Sequence, residues 1–76
     1  MLITIKTLSG RKVSLDFEPN QKIKEIKNAL HKTEGFPVDE IRLILNGVNL
    51  KNELTIQDAD IKPGTILMMM GPPKIG

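Results

Sequence analysis

Residues 1–30 read MLITIKTLSGRKVSLDFEPNQKIKEIKNAL, and the point where their apolar period changes decides the fold. In MLITIK, Met1, Ile3 and Ile5 alternate with Leu2, Thr4 and Lys6. Period two is the signature of a strand with one buried face. Ser9-Gly10 marks a turn, and KVSLDF alternates again with Val13, Leu15 and Phe17 on one side. Two alternating runs around a glycine-containing turn predict a β-hairpin. Pro19-Asn20 ends that pattern. From Ile23 the spacing lengthens to Ile23, Ile26 and Leu30, with polar residues elsewhere. That is one buried stripe on an amphipathic helix. Asn20 is the candidate cap, because a cation at Lys22 is disfavoured by the helix dipole. Gly35 is the expected stop, with Pro37 barring continuation.

Beyond the helix, IRLIL (41–45) places Ile41, Leu43 and Leu45 on one face and Arg42 and Ile44 on the other. Asn46-Gly47 is a strong two-residue hairpin signal, so a short strand is expected near Val48–Leu50. KNELTIQDADI (51–61) is polar with apolar anchors at Leu54, Ile56 and Ile61, which predicts a long packed connection; Thr55 before Asp58 opens a short helical turn. After Pro63-Gly64, TILMMM is the last strand. The order is β-β-α-β-β-β, an α+β fold with one curved sheet of about five strands and one helix across it. The domain is expected over 1–70, with 71–76 a linker or tail.

A single helix covers a single face of the sheet. Alternation assigns Ile3, Ile5, Val13, Leu15, Leu43, Leu45, Leu67 and Met69 to that face. Phe17, Ile23, Ile26, Leu30, Leu50, Ile56 and Ile61 complete the expected core. Ile66, Met68, Met70 and Ile44 then point the other way, where nothing is left to cover them. Clustered exposed apolar groups on a small domain mark an interaction site, and methionine's flexible thioether adapts to different partners. Lys6 and Arg42 flank the same outer face and favour a partner whose apolar anchors are rimmed by Asp or Glu.

Other function classes find little support. The chain has 76 residues, no cysteine, and a net charge of +2. A domain of this size has little room for a deep catalytic cavity. Disulfides, thiolate nucleophiles and Cys-based metal sites are excluded. With two Phe and no Trp or Tyr, a base-stacking surface is not expected, and the charge does not point to nucleic acid. No apolar run approaches the ~20 residues that cross a membrane, and the first residues lack the pattern of a secretion signal. His31 is the only histidine and lies off the apolar stripe, so a Ser-His-Asp set is not credible. The acids are scattered, no phosphate-binding glycine motif is present, and Lys22, Lys24, Lys27 and Lys32 read as a solvated face. No enzyme, cofactor or metal is expected.

Three stretches, MLITIKTLSGRKVSLDFEP, EGFPVDEIRLILNG and LTIQDADI, resemble ubiquitin and its relatives in register from Met1 to Met70. The resemblance implies the β-grasp fold. It also implies a recognition patch at Leu8, Ile44 and Met70, with Met68 beside them and Gly47 at the edge. That patch would bind ubiquitin-recognising helices and domains. Leu8, in what the family makes a flexible first turn, comes from the resemblance alone. Ubiquitin and its conjugated relatives end in an arginine-rich tail closing with Gly-Gly, whereas this chain ends GPPKIG. Activation threads the terminal carboxylate through a narrow channel; Pro72 and Pro73 fix φ near −65°, and Ile75 replaces the penultimate glycine. Among chain-forming lysine positions Lys6 and Lys27 match, while Val48 and Pro63 stand at two others. Lys27 sits beside the buried stripe, and Asn52 replaces the acid it would pair with. TILMMMG is similar to the last strand of the N-terminal ubiquitin-like domains of proteasome-associated ubiquitin-specific proteases and of a ubiquitin-like-domain phosphatase; shuttle factors have similar domains. The expectation is a monomeric, non-covalent docking module of a larger cytoplasmic or nuclear protein, binding proteasomal ubiquitin-receptor subunits. The alternative is a modifier joined to targets through Gly76, and a self-associating scaffold is a third reading.

Overall fold

The computed structural model describes residues 1–71. In chain order it has β1 (Leu2–Lys6), β2 (Lys12–Asp16), α1 (Ile23–Glu34), a 3₁₀ turn (Val38–Glu40), β3 (Arg42–Leu45), β4 (Val48–Asn49) and β5 (Ile66–Met70). The strands form one sheet in the order β2-β1-β5-β3-β4. Hairpins β1–β2 and β3–β4 are antiparallel; β5 enters between them, parallel to β1 and antiparallel to β3.

The core lies between the sheet and α1. Ile3, Ile5, Leu43 and Leu67 from the sheet meet Ile23, Ile26 and Leu30 from the helix, and all are fully buried. Phe17, Leu50, Ile56, Ile61 and Met69 are buried as expected, and Val13, Leu15 and Leu45 pack partly buried against them. Phe36 and Ile41 are also buried in this cluster. Phe36 was outside the expected core because a lone aromatic between Gly35 and Pro37 belongs to no periodic run.

The helix starts at Ile23, and its N-cap is Lys22 rather than Asn20. Lys22 is extended, and its backbone N–H donates to the Glu25 carboxylate at 2.7 Å. This is one half of a capping box; a lysine side chain has no acceptor to supply the other half. Gly35 ends the helix in the left-handed conformation (φ 79°), its N–H donating to the His31 carbonyl. Asn46 and Gly47 both have positive φ (52° and 80°), the turn that joins twisted two-stranded ribbons.

The long connection after β4 is pinned to the start of the helix. Ile23 donates to the Leu54 carbonyl at 2.8 Å, Ile56 to Gln21 at 2.8 Å, and Gln57 to Pro19 at 2.9 Å. Asp58 N–H donates to the Thr55 hydroxyl at 2.9 Å, closing the short turn expected there. Lys27 departs from the solvated lysine face: it is 8% exposed, and its ammonium donates to Asn52 Oδ1 at 2.5 Å. Burial lowers the Lys27 pKa, and the charge of Glu53 opposes that shift.

Candidate protein-binding face

The outer face of the sheet is set by the register of β5. Its burial alternates: Leu67 and Met69 point into the core, while Ile66, Met68 and Met70 are 49%, 38% and 42% exposed. Across β3 the Cα partners are Ile44 with Met68 and Arg42 with Met70; across β1 they are Lys6 with Met68 and Thr4 with Ile66. Partners in register share a face. Lys12 pairs with Lys6, and Asn49 with Ile44. One row therefore crosses all five strands: Lys12, Lys6, Met68, Ile44, Asn49. Its centre is apolar and one end is basic.

Ile44 is half-buried, whereas Leu8 is exposed. Leu8 sits in the β1–β2 turn, which is held by Thr7 N–H to the Arg11 carbonyl at 2.8 Å and Gly10 N–H to Thr7 at 3.0 Å. Arg11 is further tied to Glu34 of α1 at 3.0 Å. This turn brings Leu8 to a shallow depression of about 410 Å³, shared with Met70, Gly71, Arg42, Asp39 and Glu40. A Cβ built on Gly71 would meet the Glu40 carbonyl oxygen at 3.0 Å, so the backbone after β5 lies close against the 3₁₀ turn. The fold thus places Leu8, Met70, Met68 and Ile44 in succession, with Ile66 two residues along β5 and Lys6 and Arg42 on the flanks. Gly47 lies in the β3–β4 turn, where its positive φ is what calls for glycine.

Leu2, which alternation sets on the outer side of β1 with Thr4 and Lys6, is 57% exposed and extends the apolar outer residues along that strand. Two features of this face escaped the sequence reading. Lys12 stands directly opposite Lys6, a like-charge pair that costs stability; only the hairpin register reveals it. Asp39 and Glu40 border the Arg42 end, so the rim is basic at Lys6 and mixed at Arg42. Neither Lys6 nor Arg42 is in an ion pair among the described residues.

His31 is exposed, and its Nδ1 lies 2.8 Å from the Phe36 carbonyl oxygen. A carbonyl only accepts, so Nδ1–H donates and the ring braces the helix end. Among the described residues no group of His, Asp and Glu is placed to hold a metal ion, and no helix is long and apolar enough to cross a membrane. Pro72, Pro73, Ile75 and Gly76, on which the tail readings rest, lie outside the described residues.

Comparison with known proteins agrees with this architecture. The model of the ubiquitin family matches residues 3–74. Ubiquitin-like protein 1 of Schizosaccharomyces pombe is 33% identical over 70 residues, covering 92% of this chain and 90% of that protein. Ubiquitin-like protein NEDD8 of Dictyostelium discoideum is also 33% identical over 70 residues, covering 92% and 91%. Ubiquitin carboxyl-terminal hydrolase 6 of S. pombe is 32% identical over 62 residues, 82% of this chain but 13% of that protein. With the mixed five-stranded sheet, the single helix and a match along nearly its whole length, the chain belongs to the ubiquitin family.

Proposed function

We propose that this domain is a non-covalent interaction module that docks a larger parent protein onto the proteasome or onto other ubiquitin receptors. One observation carries the reading: Ile66, Met68 and Met70 stand exposed in the middle of the sheet, with Ile44 across from Met68. Burying one such side chain in a partner contributes roughly 1.5–3 kcal/mol. Three or four anchors reach the roughly 8 kcal/mol of micromolar binding once the cost of association is subtracted. The Lys6–Lys12 pair beside them adds a reason for an acidic edge on the partner, whose carboxylates relieve the like-charge contact.

The partner that fits is an amphipathic helix or a small domain with an apolar stripe and Asp or Glu along its rim. Titrating a proteasomal ubiquitin-receptor subunit with the domain tests this. Ile44→Ala and Met70→Ala are each expected to weaken binding roughly tenfold with the fold intact by circular dichroism. Unchanged affinity in both variants removes the patch from the interface.

A second reading, a modifier joined to targets through the Gly76 carboxylate, is favoured by a different observation. Two of the relatives matched are small ubiquitin-like proteins covered over nine-tenths of their own length. Against it stand Pro72, Pro73 and Ile75 in the tail. Incubation with a ubiquitin-like activating enzyme and ATP separates the two: docking predicts no thioester, and a thioester at Gly76 supports the modifier.

A further inference from the structure

Met68 and Met70 are two thioethers at the centre of an outward apolar face, and Met69 between them is an internal reference. Met68 is 38% exposed and Met70 42%, whereas Met69 is 3% exposed in the core. Strand alternation alone produces this contrast within three consecutive residues. We propose that Met68 and Met70 form an oxidation site whose conversion to sulfoxides switches the docking face off; this rests on the interaction reading above.

The oxidant is a peroxide. A thioether lone pair attacks one peroxide oxygen, the O–O bond breaks and an S–O bond forms. The departing hydroxide takes the remaining proton and leaves as water. Sulfur loses two electrons, and the peroxide gains them. The product carries a strongly accepting oxygen where the thioether had only a weakly accepting sulfur lone pair. In the free domain that oxygen is hydrated, and cationic donors stand near it: the register puts Lys6 beside Met68 and Arg42 beside Met70. Docking under an apolar stripe would strip away the water without supplying a donor, which is costly. The same two cations are those a partner's carboxylates would use. Oxidation therefore opposes binding twice, by making the centre polar and by engaging the rim. Met69 packs against Leu43 in register on the inner face, so its sulfur meets peroxide only when the fold opens. Sulfoxides are reduced by the two epimer-specific reductases with a thiol donor, which makes the switch reversible.

The test uses the whole chain, hydrogen peroxide, and a synthetic amphipathic helical peptide with an apolar stripe rimmed by glutamates. Fragment mass spectrometry over a peroxide time course should show one added oxygen on Met68 and on Met70 before any on Met69, with the thermal melt preserved. Peptide affinity should fall roughly tenfold or more and return after treatment with both reductases. Paired Met68→Leu and Met70→Leu substitutions supply the control: whatever that variant's starting affinity, peroxide should leave it unchanged. Oxidation of Met69 at the rate of its neighbours overturns the proposal. So does undiminished binding by the doubly oxidised domain, or an equal loss in the leucine variant. Failure of the untreated domain to bind the peptide overturns the docking face itself and this switch with it, an outcome distinct from binding that peroxide leaves untouched.

Discussion

Lys27 is held in the folded chain by a neutral partner. Its ammonium is buried and donates to the Asn52 side-chain oxygen, while the nearby Glu53 charge only partly offsets the desolvation that lowers its pKa. Asn52→Asp places a carboxylate at the end of that hydrogen bond. Charge-assisted bonds are stronger than neutral ones, so the variant should gain about 1 kcal/mol, a rise in Tm of roughly 4–8 °C for a domain of this size. The pH dependence follows from the direction of the shift. The folded pKa lies below the ordinary 10.5, so between the two values the unfolded chain holds a proton the folded chain has released. Stability from this group therefore rises with pH through that alkaline window. The advantage of Asn52→Asp should shrink over the same window as Lys27 becomes neutral. Urea midpoints of both proteins from neutral to alkaline pH check the magnitude and the sign.

Turns and caps tell more about the elements than the strands do. Gly47 has φ +80° and no atom within 4 Å of where a Cβ would stand, so Gly47→Ala meets backbone strain and no clash. The expected cost is about 1 kcal/mol of stability, with little change in affinity for a partner on the outer face; urea unfolding and peptide titration on one sample separate the two. A large loss of affinity at unchanged stability would instead give Gly47 a contact role. At the other end of the fold, Glu25 has its pKa lowered first by the Lys22 backbone N–H it accepts and then by Gln21. Its support of the helix start is present above the ordinary value of 4.5 and fades as pH falls through the lowered folded pKa. Periodicity made each long element legible, because a buried face repeats every two residues in a strand and every three or four in a helix. It was blind to the 3₁₀ turn, whose three residues cannot display a period. It misplaced the cap, since Lys22 serves through its backbone while Glu25 supplies the acceptor.

Pairing across the sheet is a property of the entire chain. Alternation assigned Lys6 and Met68 to one face, but only the register sets them side by side, with Lys12 beyond. Long-range pairing leaves no local mark in sequence, so the insertion of β5 between β1 and β3 emerges only from the folded structure. The reading of the helix lysines as one solvated face missed Lys27, because the apolar stem of a lysine packs where a periodicity count sees a charge; its place beside the buried stripe was legible all the same, and there it is buried. Leu67 sits at the middle of this arrangement, fully buried on the central strand. Leu67→Ala should cost roughly 2–5 kcal/mol, a large share of what a small domain has in total. Urea unfolding should show a sharply lowered midpoint or no folded baseline at all; a shift of a few tenths of a kcal/mol would mean that β5 is not the keystone of the sheet.

The place of β5 also bears on how the molecule is made. A ribosome delivers the two hairpins and the helix first, yet the strand that joins β1 to β3 is the last of the described strands to emerge. Isolated hairpins are marginal in water, so until Ile66–Met70 clears the exit tunnel neither β1–β2 nor β3–β4 has the neighbouring strand that stabilises it, and the seam between them stays open. Closure then waits on the final strand, and a translational stall just before it would leave that seam open to chaperones.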